Sequence, residues 1–278
     1  MLTIDDHRRD SAGLRYVYPV ISRRAGGVSV GINLNVNNAC NWACVYCQVE
    51  GLTRGGPPPV DLDLLAAELG GFLDPVQLAG FMARAVPADA RQLVDVAFSG
   101  NGEPTSALEF PSAVRRVRDV LAQRGLADSL PVRLITNGSL LHRAAVREGV
   151  RTLGEMGGEV WFKLDRALPT EIAAINGVPL DVAKVRRDLA ACVQLATTWV
   201  QTCWFALDGL APGPASRAAY LAQLAPLAGK LAGVHLYGLA RPSLQPAAAR
   251  LQPLPEAALE AFGEEIRRET GIRVVVSP

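Results

Sequence analysis

The sequence has no marked excess of either charge. Its 278 residues carry 28 basic and 27 acidic side chains, a formal net charge of +1 at pH 7. Because nucleic acids and membrane surfaces attract strongly basic proteins, this balance excludes a globally basic binder, although a local basic groove stays possible. The hydrophobic fraction of 49% and the charged fraction of 20% are typical of a folded globular chain, not of a disordered one.

Long apolar segments are also scarce. The first ten residues, MLTIDDHRRD, are charged and no apolar run follows them, so we expect neither a signal peptide nor an anchor. Residues 189–207 carry no charged side chain, but they contain Gln and Thr, and their pattern changes from helical to alternating near Trp199. We interpret this stretch as a buried helix followed by a strand, not as a membrane span. The expected location is the cytoplasm, with no membrane partner.

Repeats and nucleotide-binding glycines are missing as well. No repeat with a period of about 20 to 50 residues is visible, and no G-x-G-x-x-G follows a strand pattern, which disfavours solenoids and dinucleotide-binding folds. What recurs is an alternation of strand and helix patterns. The predicted strands are 28–36, 93–98, 132–136, 159–164, 199–207, 233–239 and 272–276. The predicted helices are 61–86, 109–124, 140–155, 180–197, 214–231 and 254–270.

This alternation predicts the fold class. Short Val-, Ile- and Leu-rich strands separated by helices indicate parallel pairing through right-handed crossovers. We therefore expect an α/β fold, a partial (β/α)6 TIM-like barrel with mostly parallel strands. A single domain would comprise an N-terminal lead-in (1–27), the barrel core (28–240) and a C-terminal helix and strand (241–278). Barrels of this kind carry their chemistry on the loops that follow the strands.

Cysteine is sparse but clustered. The chain has five, and three of them, Cys40, Cys44 and Cys47, form a C-x3-C-x2-C pattern directly after the first predicted strand. An odd count in a chain of this size does not suit the disulfide framework of a small secreted domain. Three soft thiolates from one loop suit an iron–sulfur cluster or zinc instead.

The positions of the few histidines bear on the choice between zinc and an iron–sulfur cluster. His7, His142 and His235 are scattered, and no fourth cysteine lies near the cluster, so a closed zinc site lacks its last ligand. A [4Fe–4S] cluster on three cysteines leaves one iron without a protein ligand and open to an external one. That arrangement suits catalysis. Buried or zinc-binding thiols are the alternative interpretation.

Two further loops place glycines and polar residues at strand ends. The sequence SGNGEPT follows the strand at 93–98; its glycines allow a ligand to approach the backbone, and its Glu103 can accept hydrogen bonds from an ammonium group. A Gly-rich turn with a helix-capping acid would look similar. The sequence TNGS follows the strand at 132–136, where a helix N-cap is the alternative explanation.

Together these three loops resemble the radical S-adenosylmethionine (SAM) superfamily, whose C-x3-C-x2-C loop follows the first strand of a partial barrel. The resemblance implies one [4Fe–4S] cluster on Cys40, Cys44 and Cys47, with SAM chelating the unique iron. Reductive cleavage of SAM then yields a 5′-deoxyadenosyl radical, which abstracts hydrogen from a substrate. The implied SAM contacts are Tyr46 at the adenine, Gly100, Gly102 and Glu103 at the amino group, and Thr136, Asn137 and Gly138 near the ribose.

The order of motifs suggests a subgroup. YVYPVISRRAGGVSVGINLN, CNWACVYCQ, FSGNGEPT, ITNGSLL, KLDRA and LYGLARP resemble uncharacterised bacterial relatives of the wybutosine (wyosine) tRNA-modifying enzymes. Those tRNA enzymes hold a second cluster, which engages pyruvate, on additional cysteines near the amino terminus. Here no cysteine precedes Cys40, and Cys192 and Cys203 alone cannot supply a cluster. We therefore expect a single cluster, with wyosine-type tRNA modification as the alternative.

Substrate-binding candidates follow later strands. Lys163 and Asp165 share one face at the end of the strand at 159–164, and Arg241 follows the strand at 233–239. An arginine there could clamp a carboxylate or phosphate, so we expect an anionic group on the substrate. Solvated strand ends and surface ion pairs are the alternative.

Weaker candidates for site residues come from the alternation of side chains along a predicted strand and from the N-terminal lead-in. Gln201 and Cys203 alternate with residues of the opposite face, and we expect both side chains to reach the barrel interior, with an inert core thiol as the alternative for Cys203. Arg23 and Arg24 are candidates for the cavity mouth or for solvated arginines.

The partners are predicted only by class. The substrate is expected to be a small molecule, a peptide or an RNA, and the electron donor a reductant such as flavodoxin or ferredoxin. The oligomeric state is left open. A non-catalytic iron–sulfur or zinc-binding regulator and a barrel enzyme acting on a phosphorylated metabolite are the alternatives from other classes.

Overall fold

The structure is a computed structural model that describes residue 2, residues 12–22 and residues 26–278. His7, Arg23 and Arg24 lie outside these described residues. Eight strands of the described chain form one sheet in sequence order. They are β1 (Val17–Ser22), β2 (Gly27–Ile32), β3 (Leu93–Phe98), β4 (Val132–Thr136), β5 (Glu159–Lys163), β6 (Thr197–Cys203), β7 (Gly233–Tyr237) and β8 (Val274–Ser277).

Parallel pairing dominates this sheet. Each neighbouring pair from β2 to β8 is parallel, whereas β1 and β2 form an antiparallel hairpin. The sheet is curled, because side chains of both edge strands and of the central strands line the same cavity. The predicted α/β class, a partial barrel with mostly parallel strands, is confirmed. None of the helices in the described part of the chain is both long and apolar enough to cross a lipid bilayer.

Eight α-helices connect or follow the strands of the described chain. They are α1 (Leu62–Phe72), α2 (Pro75–Ala85), α3 (Phe110–Gln123), α4 (Ala144–Glu155), α5 (Pro169–Asn176), α6 (Val182–Cys192), α7 (Pro214–Leu224) and α8 (Glu256–Thr270). The main hydrophobic core joins these helices to the outer face of the sheet, where residues such as Val96, Leu134 and Val200 are fully buried.

The long helix predicted at 61–86 is two helices. Asp61 caps α1 by accepting hydrogen bonds from the backbone of the first turn, and Asp74 caps α2 in the same way. Pro75 follows Asp74 at the first turn of α2, where a missing N–H is tolerated but where it prevents α1 from continuing. The break between the helices therefore comes from an Asp-Pro pair inside an otherwise periodic segment.

Two predicted strands are too long. The strand predicted at 28–36 ends at Ile32, because the Asn33 carbonyl oxygen Oδ1 accepts the N–H groups of Asn35 and Asn101 at 3.1 and 3.2 Å. Short polar side chains that bond the backbone in this way compete with the sheet ladder. The strand predicted at 199–207 splits after Cys203.

The second half of that split strand joins a small separate sheet. Phe205–Leu207 pairs antiparallel with Leu251–Pro253. At the break, the Arg166 guanidinium donates to the carbonyl oxygens of Cys203 and Phe205, both at 3.0 Å. These bonds satisfy backbone groups that have left the main ladder.

Candidate active site at the carboxyl ends of the strands

A cavity of about 360 Å³ opens where the parallel strands end. Its wall combines the loops after β2, β3 and β4 with the last residues of β5, β6 and β7. Most of the sequence-predicted site residues line it, namely Cys40, Cys44, Tyr46, Cys47, Gly100, Gly102, Glu103, Thr136, Asn137, Lys163 and Arg241. Gly138 and Asp165 do not reach its surface. A cavity of this size is in the range that holds small-molecule ligands and cofactors.

The cysteine loop presents three half-buried, free thiols to this cavity. The Cys40 sulfur accepts the Trp42 N–H at 3.4 Å, and the Cys44 sulfur accepts from Nδ2 of Asn176, also at 3.4 Å. Burial raises the pKa of the Cys40 thiol to about 11, although the Trp42 N–H opposes it. Burial likewise raises the pKa of the Cys44 thiol to about 12, against the lowering effect of Lys163. Without a metal, both groups are thiols at neutral pH.

The spacing of these thiols bears on what they can bind. Within the part of the chain that the structure describes, no three His, Cys, Asp or Glu side chains come close enough to hold a single metal ion. The three sulfurs nevertheless face one cavity from one loop, and the remaining ligand positions would have to come from outside the protein. Soft donors that are too far apart for a single metal ion but face one cavity fit a polynuclear iron–sulfur cluster.

Glu103 ties the second loop to the third. Its Oε1 accepts from the backbone N–H and hydroxyl of Thr105, at 3.1 and 2.6 Å, and from the Thr136 hydroxyl at 2.6 Å. Its Oε2 accepts the backbone N–H of Asn137 at 2.7 Å. Burial raises the pKa of this carboxyl, and the hydrogen bonds from Thr105, Thr136 and Asn137 lower it, with a net upward shift. The carboxylate therefore organises the loops as well as lining the cavity.

The third loop interlocks with the cysteine loop. Asn137 Nδ2 donates to Asn41 Oδ1 at 2.8 Å, and Asn41 Nδ2 donates to the Ser139 hydroxyl at 2.9 Å. Gly138 adopts φ +70°, and a Cβ there would lie within 3.0 Å of three atoms of the buried Phe162 ring. Only glycine fits such a position without strain. The sequence T-N-G thus positions Asn137, while Gly138 packs behind the cavity wall.

Lys163 and Asp165 meet at one tyrosine. Lys163 Nζ donates to the Tyr46 hydroxyl at 2.6 Å, and that hydroxyl donates to Asp165 Oδ2 at 2.5 Å. Burial lowers the pKa of the Lys163 ammonium, but the neighbouring Tyr237 and Asp165 raise it further, so the net direction is upward and the lysine stays charged. Burial and the Asp165 carboxylate raise the pKa of Tyr46.

Asp165 lies behind this tyrosine instead of in the cavity. It is 1% exposed and also accepts from Nδ2 of Asn176 at 2.8 Å and from the Cys203 N–H at 3.0 Å. Lys163 lines the cavity, whereas Asp165, predicted on the same face, does not reach its surface. We interpret Asp165 as a residue that holds Tyr46 and Asn176 in place.

Arg241, Gln201 and Cys203 all line the cavity. Arg241 Nη1 donates to Oε1 of Gln48 in the cysteine loop at 3.4 Å. Residues of the opposite parity in β6 face the helices, since the Thr202 hydroxyl lies 2.6 Å from the Tyr220 hydroxyl of α7. Burial raises the pKa of Cys203, so its thiol is protonated.

Sequence reasoning missed the floor of the cavity. Asp95 is 2% exposed and is bonded by the Ser29 hydroxyl and by Arg133. Arg133 also donates from Nε to Glu159 at 3.1 Å, and its guanidinium lies 5.2 Å from the centre of the Trp161 ring. A signal existed, because Asp95 and Arg133 are charged residues inside the apolar strands LVDVAF and VRLIT. Opposite charges on neighbouring buried strands indicate a pair.

Comparison with known sequences gives short matches. No protein-family model matches the chain. The GTPase Obg of Brachyspira hyodysenteriae is 26% identical over 132 residues, 46% of this chain and 16% of that protein. The UPF0026 protein MJ1312 of Methanocaldococcus jannaschii is 30% identical over 133 residues, 48% of this chain and 36% of that protein. The matched part of the chain thus spans far less than two thirds of either relative.

Comparison with solved structures covers nearly the whole chain. A radical SAM methyltransferase from Sphaerobacter thermophilus has a TM-score of 0.59 at 18% identity, covering 94% of this chain and 68% of that one. The chain shares its fold with radical SAM enzymes. HydG, a maturase of the [FeFe]-hydrogenase, has a TM-score of 0.54 at 12% identity, covering 88% and 50%. The anSMEcpe protein with bound AdoMet has a TM-score of 0.53 at 18% identity, covering 88% and 63%.

At these identities the structural likeness shows the fold alone. It agrees with the superfamily that the motifs suggested. The likeness to wyosine-type relatives is not tested by these comparisons and stays a prediction, as do the roles of the individual site residues.

Proposed function

We propose that this protein is a radical SAM enzyme that binds one [4Fe–4S] cluster and SAM and acts on a substrate held in the cavity. One observation carries the proposal: Cys40, Cys44 and Cys47 line the same cavity as the Glu103 loop and Asn137, at the carboxyl ends of the strands. A fold shared with radical SAM enzymes supports it, because such barrels place their chemistry at that end.

The cluster and SAM would bind to different parts of the cavity wall. The three thiolates would hold the cluster, and the loops after β3 and β4 would hold SAM. When bound, this pair supplies one-electron cleavage of SAM to a 5′-deoxyadenosyl radical. Among the described residues Glu103 Oε2 accepts one hydrogen bond, from Asn137, so it retains a lone pair for the ammonium group of a ligand.

The chain's own residues would shape and shield the site. Lys163 stays charged and donates a hydrogen bond to the Tyr46 hydroxyl, so the cavity wall carries a fixed cation beside the thiols. Together with Arg241 it suits a substrate with an anionic group. A reductant such as flavodoxin or ferredoxin would supply the electron to the cluster. Trp42 and Trp161 add apolar wall that displaces water from the space where hydrogen would be abstracted.

Other functions find less support in the geometry. A non-catalytic metal-binding regulator would close its metal with a fourth protein ligand, whereas these thiols face an open cavity. The sequence contains no G-x-x-x-x-G-K-[S/T] phosphate-binding motif, so we do not propose a GTPase despite the match to Obg. Wyosine-type chemistry would need a second cluster, and the fully buried Cys192 receives a hydrogen bond from Thr198, far along the chain from the cysteine loop.

The proposal is tested by reconstitution. After anaerobic treatment with iron and sulfide, we expect about four iron and four sulfide per chain, and slow release of 5′-deoxyadenosine from SAM under dithionite. Cys44→Ala should abolish both. Cys192→Ala is the matched control and should retain both, because that thiol is in the core behind the sheet.

Three results would contradict the proposal. A Cys44→Ala protein with full iron content would show that the cluster is not held by this loop. Full iron content in the wild type without any SAM cleavage would favour the regulator. Two clusters per chain would return wyosine-type tRNA modification to first place.

A further inference from the structure

A segment near the carboxyl terminus closes over the cysteine loop. We refer to residues 241–245 as the C-terminal strap. It follows β7, lies about 200 residues after the cysteine loop and is hydrogen-bonded to that loop by side chains and backbone. Its first residue, Arg241, lines the cavity, and the residues beyond it reach the outer side of the loop.

Polar side chains of the strap donate hydrogen bonds to backbone carbonyl oxygens of the cysteine loop. The Ser243 hydroxyl lies 2.7 Å from the Val45 oxygen and 3.3 Å from the Cys47 oxygen. Gln245 Nε2 donates to the Cys47 and Val49 oxygens at 3.1 and 2.8 Å. The loop is not a strand here: residues 45 and 46 form a turn that the Cys47 N–H closes on the Cys44 oxygen at 3.0 Å.

Cys47 is the centre of this arrangement. Its carbonyl oxygen accepts from the Leu244 N–H at 3.0 Å and from Gln245 Nε2 at 3.1 Å. The Ser243 hydroxyl has a single hydrogen, and its shorter contact is with the Val45 oxygen at 2.7 Å. The Ser243 oxygen in turn accepts the Gln245 N–H at 3.1 Å, which fixes the strap's own conformation. A peptide group held by several donors cannot rotate freely, so the direction of the Cys47 side chain is fixed with it.

The other end of the loop is held by a different element. The N–H groups of Ala43 and Val45 donate to the carbonyl oxygens of Asn176 and Ile175 at 3.0 and 2.9 Å. Asn176 also donates to the Cys44 sulfur. The end of α5 therefore anchors Cys44, while the strap anchors Cys47.

We propose that Ser243 and Gln245 are positioning residues for Cys47: they hold the backbone on both sides of the Cys47 N–H so that its thiol is presented to the cavity. The geometry of the loop carries this inference without any bound group. Only its final consequence, that the presented thiol is a cluster ligand, rests on the proposed function.

Site-resolved alkylation of the full chain tests the inference. Wild type and Ser243→Ala/Gln245→Ala are treated with iodoacetamide at one pH without metal, and labelling at each cysteine is followed by mass spectrometry. Loss of two side-chain hydrogen-bonding groups should raise the rate at Cys47 by about tenfold and the rate at Cys44 by much less. Asn176→Ala removes the Nδ2 donor at the Cys44 sulfur but keeps the backbone anchor, and it should leave the rate at Cys47 unchanged. Ser243→Thr, which keeps the hydroxyl, should retain the wild-type rate at Cys47.

The outcomes separate this inference from the proposed function. Equal acceleration at Cys40, Cys44 and Cys47 would mean general loosening, and an unchanged rate at Cys47 would mean that the strap does not position it; either result overturns the inference. In reconstituted protein, the double variant should shift the cluster's EPR signal and midpoint potential, and the Ser243→Thr control should match the wild type in both. If the wild type takes up no cluster, the proposed function fails, while the alkylation result still decides the role of the strap.

Discussion

Gly138 offers a sharp test of how the third loop is built. Its φ of +70° lies in the left-handed region, and the position of a Cβ is blocked by the ring of Phe162, which is 1% exposed on β5. The left-handed conformation costs an L-residue roughly 1–2 kcal/mol. Forcing a methyl group against a packed ring costs about 1–3 kcal/mol more. We therefore expect Gly138→Ala to lower the free energy of unfolding by about 2–5 kcal/mol.

The chain provides a matched control for the backbone part of this cost. Gly125 has φ +67°, but nothing lies within 4 Å of a Cβ built on it. Gly125→Ala should therefore lose only the roughly 1–2 kcal/mol of the backbone cost. Urea unfolding of both variants, with the slope compared to confirm the same unfolding transition, gives the difference directly.

The consequence of this change should extend to the cavity. Asn137, the preceding residue, donates its N–H to Glu103, so a displaced loop weakens that bond. Combining Gly138→Ala with Phe162→Leu should recover part of the loss, because the smaller side chain makes room for the methyl group. Equal stability of Gly138→Ala and Gly125→Ala would refute the proposed clash with Phe162.

Two further predictions concern buried charges. Burial raises the pKa of Glu103 in the folded protein. Its contribution to stability is therefore present at acid pH and is lost as the pH rises through the raised pKa of the folded state. Wild type should therefore lose stability relative to Glu103→Gln as the pH rises above the ordinary pKa of a glutamate, and a constant difference would contradict the burial argument. Asp95→Asn should cost about 1–3 kcal/mol, because it removes a buried carboxylate from Arg133, which keeps Glu159 as its other partner. Glu159→Gln, at a partner with 27% side-chain exposure, should cost about 0–1 kcal/mol. Equal losses in urea unfolding would show that the pair at Asp95 is not specially buried.

The sequence predicted the features that repeat locally. The strand and helix periods located the sheet and its order, and strand ends marked the loops that line the cavity. The hairpin strand β1 was missed because VYPVIS contains Pro19, which weakens a strand pattern although an edge strand tolerates it. Helix α5 was missed because its eight residues give too few turns for a clear period.

Contacts between residues far apart in the chain produce no periodic pattern in the sequence. The Asn176 amide that reaches Cys44 and the Gln245 amide that reaches Cys47 both come from short polar stretches that resemble ordinary loops. A hydrogen bond between residues far apart in sequence needs only one donor and one acceptor, so it imposes no periodicity on either segment. The charged floor pair was the exception, since Asp95 and Arg133 interrupt apolar strands.

The same polar residues that line the cavity also join its loops, and this affects how variants must be interpreted. Asn137 connects to both Asn41 and Glu103, and Tyr46 connects Lys163 to a buried aspartate. Removing any of them changes ligand contacts and loop positions together. A loss of turnover therefore does not identify a ligand contact unless stability and loop geometry are measured in the same variant. Paired controls such as Gly125 beside Gly138, or Cys192 beside Cys44, supply that separation because each reproduces one part of the change without the other.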